Sequence, residues 1–72
     1  MMDRLETVEI FVAVAEAGSF VGAARRLGRA PAAMTRAVAA LEDRLGIRLF
    51  NRTTRAVALT DAGARYLERC KG

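Results

Sequence analysis

A chain of 72 residues, 53% of them hydrophobic and 28% charged, makes one ordered domain. A domain this small buries only about 60% of the surface its unfolded form exposes, so every element must share one core, and neither a catalytic domain nor a roomy ligand pocket fits beside it. The net charge is +4, and one cysteine without any histidine excludes an intramolecular disulfide, a Cys/His metal cluster and a Cys-His catalytic pair.

Helix formers (Ala, Leu, Arg, Glu) outweigh strand formers, so the fold is expected to be mainly α. Leu5, Val8, Val12 and Ala15, with Phe11 beside them, recur at helical spacing and predict an amphipathic helix over about residues 3–17, stopped by Gly18. Thr7, Ile10 and Val14 form a second, narrower apolar stripe, expected to meet another helix or another chain, with further core of the same domain as the alternative. The apolar run from Ile10 to Ala15 falls far short of the ~20 residues that span a bilayer and of most signal-peptide cores. The chain therefore reads as soluble, not exported and cytoplasmic, with no membrane partner.

Ser19 is placed to cap a second helix from Phe20 to Leu27, ended by Gly28. Ala23 and Ala24 in its middle are small enough for a crossing helix to come close. Pro31 suits the first position of a third helix, whose Met34, Val38, Leu41 and Leu45 predict a core-facing stripe before Gly46. Its other face carries Ala32, Ala33, Thr35, Arg36, Ala39 and Asp43, small residues around one long cation, and can lie flat in a groove. Glu42 and Asp43 read as exposed helix charge near Arg44.

Ile47 to Phe50 and Val57 to Leu59 are short β-compatible runs separated by a polar loop, residues 51–56, with two Arg and no acid. They predict a hairpin wing. Thr60 is then placed to cap a final helix with Asp61 in its first turn and Ala64, Leu67 and Cys70 at three-residue spacing.

Charge is segregated along these elements. Residues 1–16 set Arg4 against four acids for a net −3, and residues 17–60 set eight Arg against Glu42 and Asp43 for a net +6. Eleven of the twelve cations are Arg, whose planar fork fits phosphates and guanine edges. Arg25, Arg26 and Arg44 read equally well as solvated surface charge. A two-turn helix, a glycine turn and a third helix with a small polar face make a helix-turn-helix, with Ala24 at the crossing, Gly28 at the turn and Met34 plugging the core. Followed by a cationic hairpin, it becomes a winged helix-turn-helix.

These residues resemble the N-terminal DNA-binding domain of LysR-type transcriptional regulators. The resemblance runs from Leu5 to Gly63 through Phe11-Val12-Ala13-Val14-Ala15-Glu16, Gly18-Ser19-Phe20, Ala23-Ala24-Arg25-Arg26-Leu27, Leu41-Glu42, Leu45-Gly46, Leu49-Phe50-Asn51-Arg52, Arg55 and Leu59-Thr60-Asp61-Ala62-Gly63. It implies sequence-specific binding of double-stranded DNA in a bacterial transcription regulator, with recognition helix 31–45 in the major groove and wing 51–56 on phosphate or the minor groove. Pro31, Ala32, Thr35 and Arg36 would line the helix surface and Arg52 and Arg55 the wing, with Ser19, Ala33 and Thr54 completing the DNA-binding set. The side chains suit that use: Arg36 can bridge guanine O6 and N7 or hold a phosphate, Thr35 can touch a thymine methyl or donate to phosphate, and Ala32 and Ala33 can pack on thymine methyls.

Two positions depart from the family pattern. Ala30 replaces the common Ser at the helix cap, at about 1 kcal/mol of helix stability, and Ala37 replaces a common Gln, so readout rests on few side chains and leans on DNA shape. The resemblance also implies that residues 1–59 form the winged domain and residues 60–72 the start of a linker helix. A homodimer would form through that helix and the first one, with Ile10 and Val14 packed against the Leu67 side. Family members continue into a two-lobed effector-binding domain. A chain ending at Gly72 reads as an isolated or truncated module without inducer control, small-molecule effector site, cofactor, metal or catalytic residue. The alternatives are a winged helix used for protein interaction, which a neutral or acidic recognition face would favour, and an enzyme, for which paired carboxylates in a cleft and a Gly-rich phosphate loop are both missing.

Overall fold

A computed structural model describes residues 4–52 and 57–71. In chain order it has helices α1 (Arg4–Ala17), α2 (Phe20–Leu27) and α3 (Pro31–Leu45), strands β1 (Phe50–Arg52) and β2 (Val57–Leu59), and helix α4 (Asp61–Lys71). The strands pair antiparallel, with Phe50 opposite Leu59, Asn51 opposite Ala58 and Arg52 opposite Val57. This is the expected mainly helical architecture with a hairpin between the third and fourth helices.

α1 is apolar on two sides, and the narrower stripe is the one that turns inward. Thr7, Ile10, Phe11, Ala13 and Val14 are buried, whereas Leu5 is 73% exposed and Val8, Val12 and Ala15 are half-buried. Ile10 and Val14 thus belong to the domain's own core, which corrects their expected packing against Leu67 across a dimer. Phe11 adjoins both stripes, so periodicity could not choose between them. Its ring decides the matter by packing on Phe50 at 5.3 Å and edge-on to Tyr66 at 5.2 Å, distances at which aromatic pairs attract beyond their buried area. With Phe11 fixed there, Ile10 and Val14 are carried inward.

α2 starts as predicted, the Ser19 hydroxyl accepting the Gly22 N–H at 3.0 Å. Ala23 and Ala24 are buried, and their small side chains let α2 lie close to the helices it crosses. Gly28 ends it at φ 67°, with its N–H returned to the Ala24 carbonyl; this left-handed conformation costs Gly little and any side chain more. The chain turns there into α3, which buries Met34, Ala37, Val38 and Leu41. Leu45, expected in the same stripe, is 39% exposed. Ala37 faces the core, so the position where relatives of the resembled family carry Gln is not on the exposed face.

The first strand begins at Phe50 rather than Ile47, which is 41% exposed. The cause lies in α3, where the Glu42 carboxylate accepts the backbone N–H of Leu49 at 2.8 Å and of Phe50 at 3.3 Å. Glu42 is therefore half-buried and structural, not the exposed helix charge its sequence position suggests. The strand continues through Asn51 and Arg52, both expected in the loop. Thr60 caps α4, its hydroxyl accepting the Gly63 N–H at 2.9 Å and donating to the Arg48 carbonyl at 2.6 Å. Leu67 and Cys70 pack against the core, while Ala64 is exposed. Partial burial pushes the Cys70 thiol pKa up, offset in part by a hydrogen bond with Tyr66.

Candidate nucleic-acid interface

The first turns of α3 present the surface singled out from the sequence. Pro31, Ala32 and Arg36 are exposed, and Ala33 and Thr35 are half-buried. Arg36 follows Ala32 by one helical turn, so a long cation stands over a patch with no bulk to hold it away from a flat partner. The Thr35 hydroxyl donates to the Pro31 carbonyl at 3.1 Å; in this rotamer its proton is engaged and it has none to give a phosphate, which leaves its methyl and its lone pairs. Ala30 occupies the cap position in extended conformation without a side-chain bond. The positive end of the α3 dipole is therefore covered by no side chain of its own.

Ser19 stands apart from this turn, half-buried at the start of α2 with its oxygen on the Gly22 N–H. Arg52 is the last residue of β1, opposite Val57. Thr54 and Arg55 lie outside the described residues. The structure thus brings together Pro31, Ala32, Ala33, Thr35 and Arg36 on one helix, and places the hairpin base next to that helix through Glu42.

Not every arginine of the cationic segment is available to a partner. Arg29 pairs with Glu6, and Arg26 lies 3.3 Å from Glu16, so two cations of α2 and its following turn are met by acids of α1. Arg25, Arg36, Arg44 and Arg48 are exposed. The residue that sequence reasoning missed is Glu42. Its signal was electrostatic: a carboxylate in the last turn of a helix faces the negative end of the dipole, an unfavourable place unless something else holds it.

A groove of about 500 Å³ is lined by Leu5, Val8, Val12, Leu27 and the Glu16–Arg26 pair, with nothing from α3 or the hairpin. Among the described residues no group of three or more metal-ligating side chains comes together, and no helix is long and apolar enough to cross a membrane.

This arrangement of helix, glycine turn, exposed helix start and hairpin is shared with a known group of proteins. The family model of bacterial regulatory helix-turn-helix proteins of the lysR family matches residues 5–64. The chain belongs to the LysR family. This LysR-family domain is 47% identical over 70 residues to an HTH-type transcriptional repressor of Pseudomonas aeruginosa, covering 97% of this chain and 22% of the relative. It is 41% identical over 70 residues to the transcriptional activator AaeR of Escherichia coli, covering 97% of this chain and 23% of that one. The LysR-family domain thus spans about a quarter or less of the length of these curated relatives.

Among solved structures it resembles the CbnR DNA-binding domain in complex with DNA, at a TM-score of 0.92 and 40% identity, covering 97% of this chain and 79% of that one. It resembles the BenM DNA-binding domain bound to catB site 1 DNA at a TM-score of 0.90 and 36% identity, covering 97% and 78%. The fold is the winged helix-turn-helix of LysR regulators.

Proposed function

We propose that this domain binds double-stranded DNA in a sequence-specific manner as the reading head of a bacterial transcriptional regulator. Helix α3 enters the major groove by its first turns, and the wing, residues 51–56, rests on phosphate or the adjacent minor groove. The observation that carries this reading is the exposed start of α3: an uncapped helix N-terminus beside Pro31, Ala32 and Arg36, on a fold that superposes on domains solved with DNA. Pro31 has no N–H and the Ala33 N–H bonds the Ala30 carbonyl at 3.1 Å, so the Ala32 N–H and the dipole are what this end offers a phosphate, and Arg36 reaches guanine O6 and N7 from the same face. Ala32, Ala33 and the Thr35 methyl pack on thymine methyls. Ser19, Arg52, Thr54 and Arg55 hold the backbone on either side, the Ser19 proton being available to donate because only its oxygen caps α2.

The domain works without cofactor, metal, effector site or chemistry of its own, in the cytoplasm. Residues 1–59 make the reading unit and residues 60–72 begin a linker helix. A homodimer forms through that helix and α1, and because Ile10 and Val14 are buried, α1 contributes its Leu5, Val8 and Val12 side. Two copies then present two α3 helices to major grooves one or more turns apart. A protein-interaction module is the weaker reading, since the exposed start of α3 carries a cation, no acid and no bulky apolar side chain.

Selection of bound sites from a random duplex library supplies the specific sequence for a test by substitution. Arg36→Ala is expected to lose about 5- to 150-fold of the discrimination between selected and random duplexes, the worth of one good bidentate base contact. Arg52→Ala weakens both duplexes alike. Equal loss on both duplexes for Arg36→Ala would reduce Arg36 to a phosphate contact and remove the base-reading claim.

A further inference from the structure

Two polar side chains from different elements hold the short segment that leads from α3 into the hairpin. From α3, the Glu42 carboxylate takes the N–H of Leu49 and of Phe50. From the start of α4, the Thr60 hydroxyl takes up the Arg48 carbonyl and the Thr60 N–H the Leu49 carbonyl at 3.0 Å. The backbone carbonyl of Glu42 also closes the end of α3, accepting the N–H of Gly46 at 2.8 Å and of Ile47 at 3.3 Å. One residue of the recognition helix therefore fixes both where that helix stops and where the first strand starts. The far strand is tied separately, the Val57 N–H to the Gly18 carbonyl at 3.2 Å.

We propose that Glu42 is a positioning residue for DNA binding: its carboxylate sets the direction in which β1 leaves α3, and so where Arg52, the last residue of that strand, stands while α3 lies in its groove. The inference rests on the DNA-binding reading above. Its physical basis is that bonds from an ionised carboxylate to backbone N–H are short and about twice as strong as neutral ones. These bonds run from the helix to the residue before the strand and to its first residue, rather than within either element. A hairpin of three residues a side does not hold its own angle, because an isolated two-stranded ribbon is marginally stable at best; Glu42 shares that task with the Thr60 and Val57 bonds and with the buried Phe50 ring.

Both N–H groups meet one carboxylate oxygen, Oε2, so Glu42→Gln keeps the shape and an acceptor but removes the charge that makes these bonds strong. The expected result is a folded domain whose affinity falls on selected and random duplexes alike, by about fivefold at 0.15 M salt for each phosphate the hairpin no longer neutralises, with the salt slope shallower by about 0.9 per phosphate. The discriminating measurement is a cycle with Arg52→Ala. If Glu42 acts through the hairpin, Glu42→Gln costs little further affinity once Arg52 is gone. If its role is only to stabilise the fold, the full loss persists in the Arg52→Ala background, and the proposal is overturned. Circular dichroism at the assay temperature reports folding, and if Glu42→Gln is unfolded, Glu42→Asp, one methylene shorter, takes its place in the same cycle. Wild-type affinity retained by the folded variant also overturns the proposal and leaves the DNA reading intact. Failure of the unsubstituted chain to bind any duplex overturns both.

Discussion

At Gly63 the first turn of α4 lies directly on the segment below it. A Cβ there would overlap the Leu49 carbonyl oxygen and come within 3.0 Å of the Leu59 side chain. A backbone carbonyl cannot swing aside as a flexible side chain can, and Leu49 is held by Thr60 and Glu42 besides. Gly63→Ala should therefore cost about 3 kcal/mol or more, at the upper end of overpacking penalties, even though alanine is the better helix former. Urea unfolding would measure it, and a variant as stable as the parent would mean that α4 does not sit as close as described. None of this could be read from a glycine in a helical stretch. The same holds for Glu42, whose partners are main-chain groups that carry no residue-type signal. Ser19 and Thr60, by contrast, were legible as caps because a hydroxyl just before a helix finds its acceptor role within three residues.

Element by element, the helices were legible and their faces less so. Gly18, Gly28 and Gly46 marked three helix ends, and Pro31 a start, because these residues act through local backbone geometry. The inward face of α1 depended on what Phe11 meets across the core, which periodicity within one helix does not contain. The start of β1 was misplaced by three residues for a similar reason: a side chain from α3 claims the donors of Leu49 and Phe50. At the other end of α3, Ala30 stands at the cap with φ −72°, ψ 136° and no side-chain bond. Serine fits that extended conformation, so Ala30→Ser is expected to stabilise the domain by about 1 kcal/mol, or roughly 4–8 °C in Tm for a domain of this size. Calorimetry decides it. An unchanged melting temperature would imply that the bond from the Ala33 N–H to the Ala30 carbonyl already suffices at this end of α3, which would weaken the case for a phosphate there.

Across the whole molecule the charge pattern acquires a shape that sequence order only hinted at. The acids of residues 1–16 do not simply lie apart from the arginines, for Glu6 and Glu16 of α1 pair with Arg29 and Arg26. These pairs are partly exposed and contribute little stability at ordinary salt. Their larger consequence is to offset two arginines beside α1, leaving Arg25 on α2 and Arg36, Arg44 and Arg48 along and after α3 as the other exposed arginines of the middle segment among the described residues. Binding to a polyanion would then release counterions chiefly through these arginines, each neutralised phosphate lowering log K by about 0.9 per log unit of salt. The most direct test is therefore the affinity of the domain for duplex DNA titrated with salt from about 50 mM to 200 mM, the range over which phosphate-dominated binding weakens most visibly. A log–log slope of about −3 or steeper, from three or more phosphates, is the expected result; a flat response, or no duplex binding at the low-salt end, would contradict the assignment of this surface to DNA.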